Sequence, residues 1–313
     1  MLLGKFEKSL LILSSKSFYF KNKYIINGLK KSFGGDVFNE YFIVKYTKNA
    51  NSVKEYTREF IEKYRNSIIF MAGGDGSVHE VANIIHGTNV CLAVVPNGTG
   101  NDLARTIFGN KKPKKMFYYV NNLNEKPIDM IKINNKYSIN ATSFGFDGIV
   151  LEKALRIKNK FKLLRKFSFS LAIIFSINKI NTSKYLYEYV LSNGEVIKGT
   201  DESLIVSLSN GKYFGGGLMP APSAELDSGK IIINSIAPIS PFSLMRMKKL
   251  YKKGEHLDLD ISKTYEVISG NIKPIDQEYL YGNIDGELEK FREINFEIVR
   301  NEIKLAFYNN DSF

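Results

Sequence analysis

Through the first third of the chain, short continuous apolar runs alternate with stretches whose apolar residues recur at helical spacing. Ser9–Leu13, Tyr41–Tyr46, Ser67–Met71 and Val90–Val95 are apolar or β-branched runs of strand length. Between them, Tyr24–Phe33, Val53–Tyr64 and Val78–His86 predict helices, and another helix opens at Asp102. In the second of these, Tyr56, Phe60 and Tyr64 fall four apart on one face. Buried strands alternating with helices predict βαβ units and a parallel sheet. Ligands of such sheets bind beyond the carboxyl ends of the strands. Gly73-Gly74 and Gly98–Gly100 stand at two of those ends.

Past about Asn124 the texture changes to strands without intervening helices. Ile131–Ile133 and Tyr137–Ala141 flank Asn134-Asn135, and Tyr185–Leu191 and Glu195–Lys198 flank Ser192-Asn193-Gly194. Both read as hairpins. Leu204–Leu208, Lys230–Ser235, Tyr265–Ser269 and Ile294–Val299 read as further strands. The expected fold is α/β plus all-β: a parallel-sheet α/β domain over residues 1–127, then an antiparallel sandwich or barrel over 128–313. The last segment is free to return to the first domain. Helical insertions are expected from Leu151 to about Ile177 and near Pro241–Lys253.

The 313 residues are 44% hydrophobic and 24% charged, which excludes a wholly disordered or fibrous chain. One cysteine, Cys91, excludes an internal disulfide framework, and three histidines argue against a His-based metal cage. Cys91 lies in an apolar strand and reads as a small buried hydrophobe. The net charge of +12 favours an anionic partner. No helix-turn-helix, zinc-finger or aromatic RNA-binding signature accompanies that charge, so nucleic acid is not the expected partner. No apolar run reaches the length of a membrane span, and Phe167–Ile177 is too short. A cytoplasmic protein, peripheral on a membrane, is expected.

Candidate chemistry concentrates in two glycine-rich loops. Gly73-Gly74-Asp75-Gly76-Ser77 crosses from strand to helix, where glycines allow close backbone approach to a phosphate and free amides attract anions. Ser77 is placed to cap the helix or donate to a phosphate. Alone, this segment reads equally as a plain glycine turn. Pro96-Asn97-Gly98-Thr99-Gly100-Asn101-Asp102 repeats the arrangement after the next strand, and two such loops facing one crevice make a better phosphate site. Neither is a Walker A loop or a dinucleotide fingerprint. Further on, Asp285 and Glu287 stand two apart, on one face if the segment is a strand. Such a pair suits a base that accepts a hydroxyl proton, or a Mg²⁺ ligand set. An exposed Asp-Gly turn followed by a solvated Glu is the alternative.

GGDGSVHEVANII and PNGTGNDLAR, in this order, resemble the diacylglycerol kinase catalytic-domain superfamily, more narrowly the soluble bacterial diacylglycerol and lipid kinases related to sphingosine kinases. Ile128-Asp129-Met130, Asn140–Asp147, Ser209-Asn210 with Gly215–Gly217, and Gly282–Glu287 extend the resemblance over nearly the whole chain. It implies an α/β nucleotide-binding domain, a C-terminal β-sandwich, and ATP with Mg²⁺ in a cleft between them. It implies phosphate-loop roles for Gly73, Gly74, Asp75, Gly76, Ser77 and Glu80. A second ATP loop comprises Gly98, Thr99, Asn101 and Asp102, and Thr47 is a nucleotide contact. Asp285 and Glu287 match the acidic pair at the reacting end, with Glu287 as general base. The implied reaction is γ-phosphoryl transfer from ATP to a lipid hydroxyl, most simply that of diacylglycerol. Kinases of other lipid alcohols, NAD kinase and a catalytically silent binder are the alternatives.

The chain departs from the pattern in places. Leu13-Ser14-Ser15-Lys16-Ser17 replaces the usual Asn-Pro opening loop, and His79 stands where Asn is common. His79 is expected to pack or cap. A structural Mg²⁺ in relatives maps to Glu225, Asp227, Ser228 and Lys230, but Ser228 replaces the usual Asp, and a hydroxyl is a poorer ligand for a hard cation. Lys153–Lys166 and Arg246–Lys253 interleave cations with apolar residues, which suits an anionic membrane carrying the lipid substrate. A solvated basic face is the plainer alternative. A homodimer is compatible with the sequence.

Overall fold

The computed structural model describes residues 2–15, 19–109, 123–161, 168–176 and 182–308. Parts of the expected helical insertion, Lys162–Phe167 and Ile177, lie outside these. The first nine elements are β1 (Ser9–Leu13), α1 (Tyr19–Phe33), α2 (Gly35–Tyr41), β2 (Phe42–Tyr46), α3 (Ser52–Lys63), β3 (Ile68–Gly73), α4 (Asp75–Ile85), β4 (Cys91–Pro96) and α5 (Asp102–Phe108). There follow β5 (Leu123–Ile133), β6 (Lys136–Ser138), β7 (Ala141–Gly145), α6 (Phe146–Lys160), α7 (Ser168–Ser176), β8 (Ser183–Leu191), β9 (Val196–Ser203), β10 (Ile205–Ser209) and β11 (Ile231–Ile236). The last are α8 (Pro241–Lys253), β12 (Ser262–Pro274), β13 (Leu280–Ile284), β14 (Glu287–Phe291) and β15 (Ile294–Tyr308). The chain divides into two compact units, Met1–Ile128 with Asn301–Phe313, and Asp129–Arg300.

The first unit is α/β. Its strands run parallel in the order β4-β3-β1-β2, and the final part of β15 adds to β4 through Lys304↔Cys91 and Leu305↔Leu92. All of β1 and β3 and most of β4 are buried, as expected for a parallel sheet covered on both faces. β2 is the edge and grades from buried to exposed. Leu11, Leu29, Phe33, Phe38, Phe42 and Phe70 anchor the core, and Phe38 stacks on Phe42 at 4.5 Å between centroids. Phe38 sits on α2, which the apolar pattern did not predict. That helix is a two-turn piece, too short for its periodicity to register. Cys91 is fully buried, and burial pushes its thiol pKa up, so it is an unreactive core residue.

The second unit is antiparallel, in the order β14-β13-β7-β10-β11-β12, followed by the first part of β15. β8 pairs with β12 and β9, and β5 pairs with β6. One face carries the main core, where Phe144, Tyr185, Tyr189, Val206, Leu208, Ile231 and Ile233 meet. Both expected hairpin turns form, with Asn134 at φ 51° and Gly194 at φ 88°. The expected helix at Pro241–Lys253 is α8. Ser240 caps it by accepting from the Ser243 amide, Pro241 occupies its first turn, and Gly254 closes it at φ 76°. The expected strand Tyr137–Ala141 is instead divided between β6 and β7.

Gly282 of β13 lies against β7, and a Cβ there would overlap the backbone carbonyl oxygen of Ser143. The atoms it would meet are the Ser143 carbonyl and the Cα and Cβ of Phe144, none of which can swing aside. Gly282→Ala is therefore expected to destabilise the protein by about 3 kcal/mol or more, read as a fall in denaturant midpoint.

Candidate functional site

Parallel strands in the first unit bring four strand ends to one edge of the sheet. The Ser14 amide donates to Ala72 O, Thr47 N to Leu13 O, and Asn97 N to Gly73 O. Thr47 Oγ1 accepts from Ser15 N at 2.9 Å and lies 3.2 Å from Ser15 Oγ, tying the β1 and β2 ends together. Asn22 of α1 is buried; its Nδ2 donates to Ser14 O and its Oδ1 accepts from Asn97 Nδ2. Asn22 thus joins the β1 and β4 loops. An Asn within a lysine-rich helix had given no sequence signal.

The two glycine loops touch. A Cβ on Gly98 would overlap the Cα of Gly74, and one on Gly100 would stand 2.6 Å from Asp75 Oδ2. Asp75 joins them. Its Oδ2 accepts from Asn101 N at 2.8 Å, and its Oδ1 accepts from Asp102 N at 2.7 Å and Leu103 N at 3.4 Å. Burial raises the Asp75 pKa above the usual carboxylate range, and the three backbone amides pull it back down. Asp75, expected as part of the phosphate loop, uses its carboxylate to cap α5 from another loop. Asn101 is also turned inward. It adopts φ 56°, accepts from Gly98 N at 2.8 Å and donates to Gly98 O at 3.1 Å. Asp102 opens α5 and is buried beside Gly100, with Arg105 Nε 3.8 Å away.

Ser77 does not cap α4. The N-cap is Gly74, without a side-chain cap, and Ser77 N donates to Gly74 O inside the first turn. The start of this eleven-residue helix keeps amides at Asp75 and Gly76 ahead of its first internal bonds. Thr99 is exposed at the tip of the second loop, and Ser77 is half-buried. Glu80 lies on α4 with Lys54 of α3 at 4.0 Å, pairing it sideways. His79 packs on the same helix, its carbonyl accepting from Asn83 Nδ2 at 3.0 Å.

In the second unit, Asp285 and Glu287 do not share a strand face. Asp285 and Gly286 form the two-residue turn joining β13 and β14, at φ 49° and 89°, with Ile284 opposite Glu287. Asp285 is buried. Its Oδ1 accepts from Ser138 Oγ, Asn140 N and Ala141 N at 2.8–3.0 Å, and its Oδ2 accepts from Ile139 N at 2.9 Å. The expected placement of the two carboxylates on one strand face is corrected: Asp285 turns inward onto backbone amides, and of the two only Glu287 is exposed.

One face of this sheet carries a row of polar residues in register, Asn283, Ser143, Ser207 and Asn234, all buried. Asn283 Nδ2 donates to Ser143 Oγ and Asp147 Oδ2, Ser143 hydrogen-bonds Asp147, and Tyr251 donates to Asn234 Oδ1 at 2.7 Å. Burial raises Asp147 to a pKa of about 6, against hydrogen bonds that lower it. The row escaped the sequence reading because its partners come from separate strands.

The segment matched to a structural metal does not gather ligands. Glu225 and Asp227 are exposed, and Lys230 Nζ pairs with Glu266 at 2.6 Å. The buried carboxylate there is Asp129, whose Oδ2 accepts from Gly229 N at 2.7 Å. Among the described residues, no three His, Cys, Asp or Glu side chains cluster as a metal site. These residues do not fit the metal.

Residues 24–133 match the family described as diacylglycerol kinase catalytic domain. Residues 140–307, more than half of the chain, match the YegS C-terminal NAD kinase beta sandwich-like domain. The chain belongs to the diacylglycerol kinase catalytic-domain superfamily. Both glycine loops fall in the first match, and the polar row with the Asp285 turn falls in the second. Two curated relatives bear the name "Putative lipid kinase". The one from Staphylococcus carnosus (strain TM300) is 23% identical, over 88% of this chain and 83% of its own. The one from Staphylococcus aureus (strain MRSA252) is 26% identical, over 87% and 85%. A solved structure titled a diacylglycerol kinase, from Bacillus anthracis str. Sterne, shares the fold at a TM-score of 0.69 and 20% identity, covering 99% of each chain. Another from that source reaches 0.75 and 22%, covering 99% of this chain and 97% of the other. Superfamily membership makes this a kinase-type α/β and β-sandwich protein of the lipid-kinase kind. No helix among the described residues is long and apolar enough to cross a membrane.

Two expectations follow. Asp75→Ala removes the acceptor of three amides, so backbone amides near Asn101–Leu103 should exchange with deuterium at least tenfold faster. For Asp147, the folded pKa near 6 exceeds the unfolded value of 3.8. Its favourable contribution is complete below the unfolded pKa and is lost as pH rises through about 6. Relative to Asp147→Asn, the wild type should lose about 2 kcal/mol of unfolding free energy between pH 4 and 7.

Proposed function

We propose that the protein transfers the γ-phosphoryl group of ATP to a lipid hydroxyl, with diacylglycerol as acceptor and phosphatidic acid as product. The observation that carries this reading is the contact between the glycine loops. Asp75 locks one loop onto the other, and the Gly74–Gly76 amides, Ser77 and Thr99 remain at the edge. The start of α4, with main-chain donors beside the second loop, suits a polyanionic phosphate chain. ATP enters as its magnesium complex, and the metal it brings screens phosphate charge. Glu287, exposed at the start of β14, is the group proposed to accept the hydroxyl proton. Asp285 supports it by fixing the turn that presents it. Thr47 joins the nucleotide end through its link to Ser15.

The acceptor is proposed as a lipid because curated relatives carry lipid-kinase names and the match to residues 24–133 is to a diacylglycerol kinase domain. The NAD kinase-like description of the sandwich makes NAD the control substrate. Incubation with γ-labelled ATP should place the label in phosphatidic acid when diacylglycerol is supplied. Label in NADP, or in no acceptor from a total lipid extract, overturns the assignment. Glu287→Gln should lower turnover by roughly a hundredfold or more while nucleotide affinity stays within about twofold. Equal turnover in that variant removes Glu287 as the base.

A further inference from the structure

The segment that relatives use for a structural metal is here a loop tied down by protein groups. Ala224 N donates to Ala221 O at 3.1 Å, Ser228 N to Glu225 O at 3.2 Å, and Asp129 N to Leu226 O at 2.7 Å. The buried Asp129 carboxylate accepts from Gly229 N at 2.7 Å. Asn210 secures Asp129 in turn, its Nδ2 donating to the Asp129 and Ile139 carbonyls at 2.8 and 3.0 Å. Gly229 is buried and adopts φ 68°, and a Cβ on it would run into Nη2, Cζ and Nε of Arg300. The Arg300 guanidinium, from the second unit's own part of β15, therefore lies across Gly229. Glycine serves twice here, for its positive φ and for the close approach of that group.

Charge gives the contact its meaning. The loop and the strand that holds it carry three carboxylates, Asp129, Glu225 and Asp227, beside which a cation is favourable. Lys230, the loop's own cation, is turned to Glu266 at 2.6 Å. A divalent ion could answer the acidic charge, but it requires hard oxygen ligands converging on one point. Ser228 offers a hydroxyl where a carboxylate is usual, Glu225 and Asp227 are exposed, and an Asp129 oxygen is engaged by the Gly229 amide. A guanidinium answers the charge differently. It is planar, permanently charged and weakly hydrated, so it can rest on a peptide unit while part of it stays in water. Arg300 is exposed, in keeping with that arrangement. A metal ion entering the loop would also meet this fixed positive charge.

We propose that Arg300 is the built-in cation of the 224–229 loop, standing in for a bound divalent ion, so that the loop is ordered without metal. The magnesium that accompanies ATP is a separate ion, and neither the proposal nor its test depends on which acceptor is phosphorylated. The test follows deuterium exchange of the loop amides in the full-length protein without nucleotide. For wild type, rates in EDTA and in millimolar magnesium chloride should agree within about twofold. Arg300→Met keeps an apolar stem over Gly229 and removes the charge; it should speed exchange at Ser228 and Gly229 roughly tenfold in both buffers. Adding Ser228→Asp to Arg300→Met supplies the missing carboxylate and removes the competing charge, so slow exchange should return in magnesium chloride and not in EDTA. Wild-type protection that depends on magnesium overturns the proposal, as does an Arg300→Met loop that exchanges like wild type. A double variant indifferent to magnesium overturns it too, because Arg300 would then occupy no metal's place. Arg300 is exposed, so the variants are expected to fold; the wild-type comparison needs neither of them.

Discussion

A carboxylate enclosed by main-chain amides is the constraint from which the nucleotide-side geometry follows. Asp75 sits at the start of one helix and accepts hydrogen bonds from the start of another. Burial opposes its charge, and the amides at the positive end of α5 offset that cost. The loops that carry these groups then approach until glycine Cα meets glycine Cα. That approach is why Gly98 and Gly100 stand where they do: any side chain would meet Gly74 or the Asp75 carboxylate. With Asp75 and Asn101 turned inward, the residues left facing outward are amides and hydroxyls, the groups that suit phosphate oxygens.

The second unit repeats the device with different parts. Asp285 collects three backbone amides and a serine hydroxyl, fixing residues 138–141 to the β13–β14 turn. Asn283 holds the same turn by accepting from Gly286 N at 3.0 Å, and reaches across to Ser143 and Asp147 with its amide nitrogen. The acids in the motifs thus divide into two kinds. Asp75, Asp129, Asp147 and Asp285 are buried or nearly so and hold backbone or side chains in place, whereas Glu287 is exposed.

Elsewhere the helices of the second unit spend their surfaces differently. α8 buries Met247 and Tyr251 and turns cations outward, an ordinary amphipathic arrangement. Among its described side chains, α7 buries Ser168, Ala172 and Ser176 and leaves Phe175 exposed. Its sequence is apolar on every side, so periodicity alone gave no inward face, and only the packed neighbours show which side was chosen.

By itself the sequence determined most of the elements and both sheet types, though not the short α2 or the break between β6 and β7. Continuous runs such as Ser9–Leu13 and Val90–Val95 can only be strands covered on both faces, and Asn134, Gly194 and the Ser240–Gly254 bounds of α8 carry their turn and cap chemistry locally. Motif order in the chain also identified the superfamily. What the side chains do was decided by tertiary structure. Asp75 and Ser77 are close neighbours at one helix start, yet the first spends its side chain on the α5 amides and the second does not. Asp285 and Glu287 stand two apart, yet one turns inward and the other outward. Asn22, and the row from Asn283 to Asn234, are assembled from separate strands and helices. Local sequence specifies backbone conformation, whereas burial and hydrogen-bond partners depend on which distant segments arrive alongside, and these set whether a carboxylate is framework or reagent.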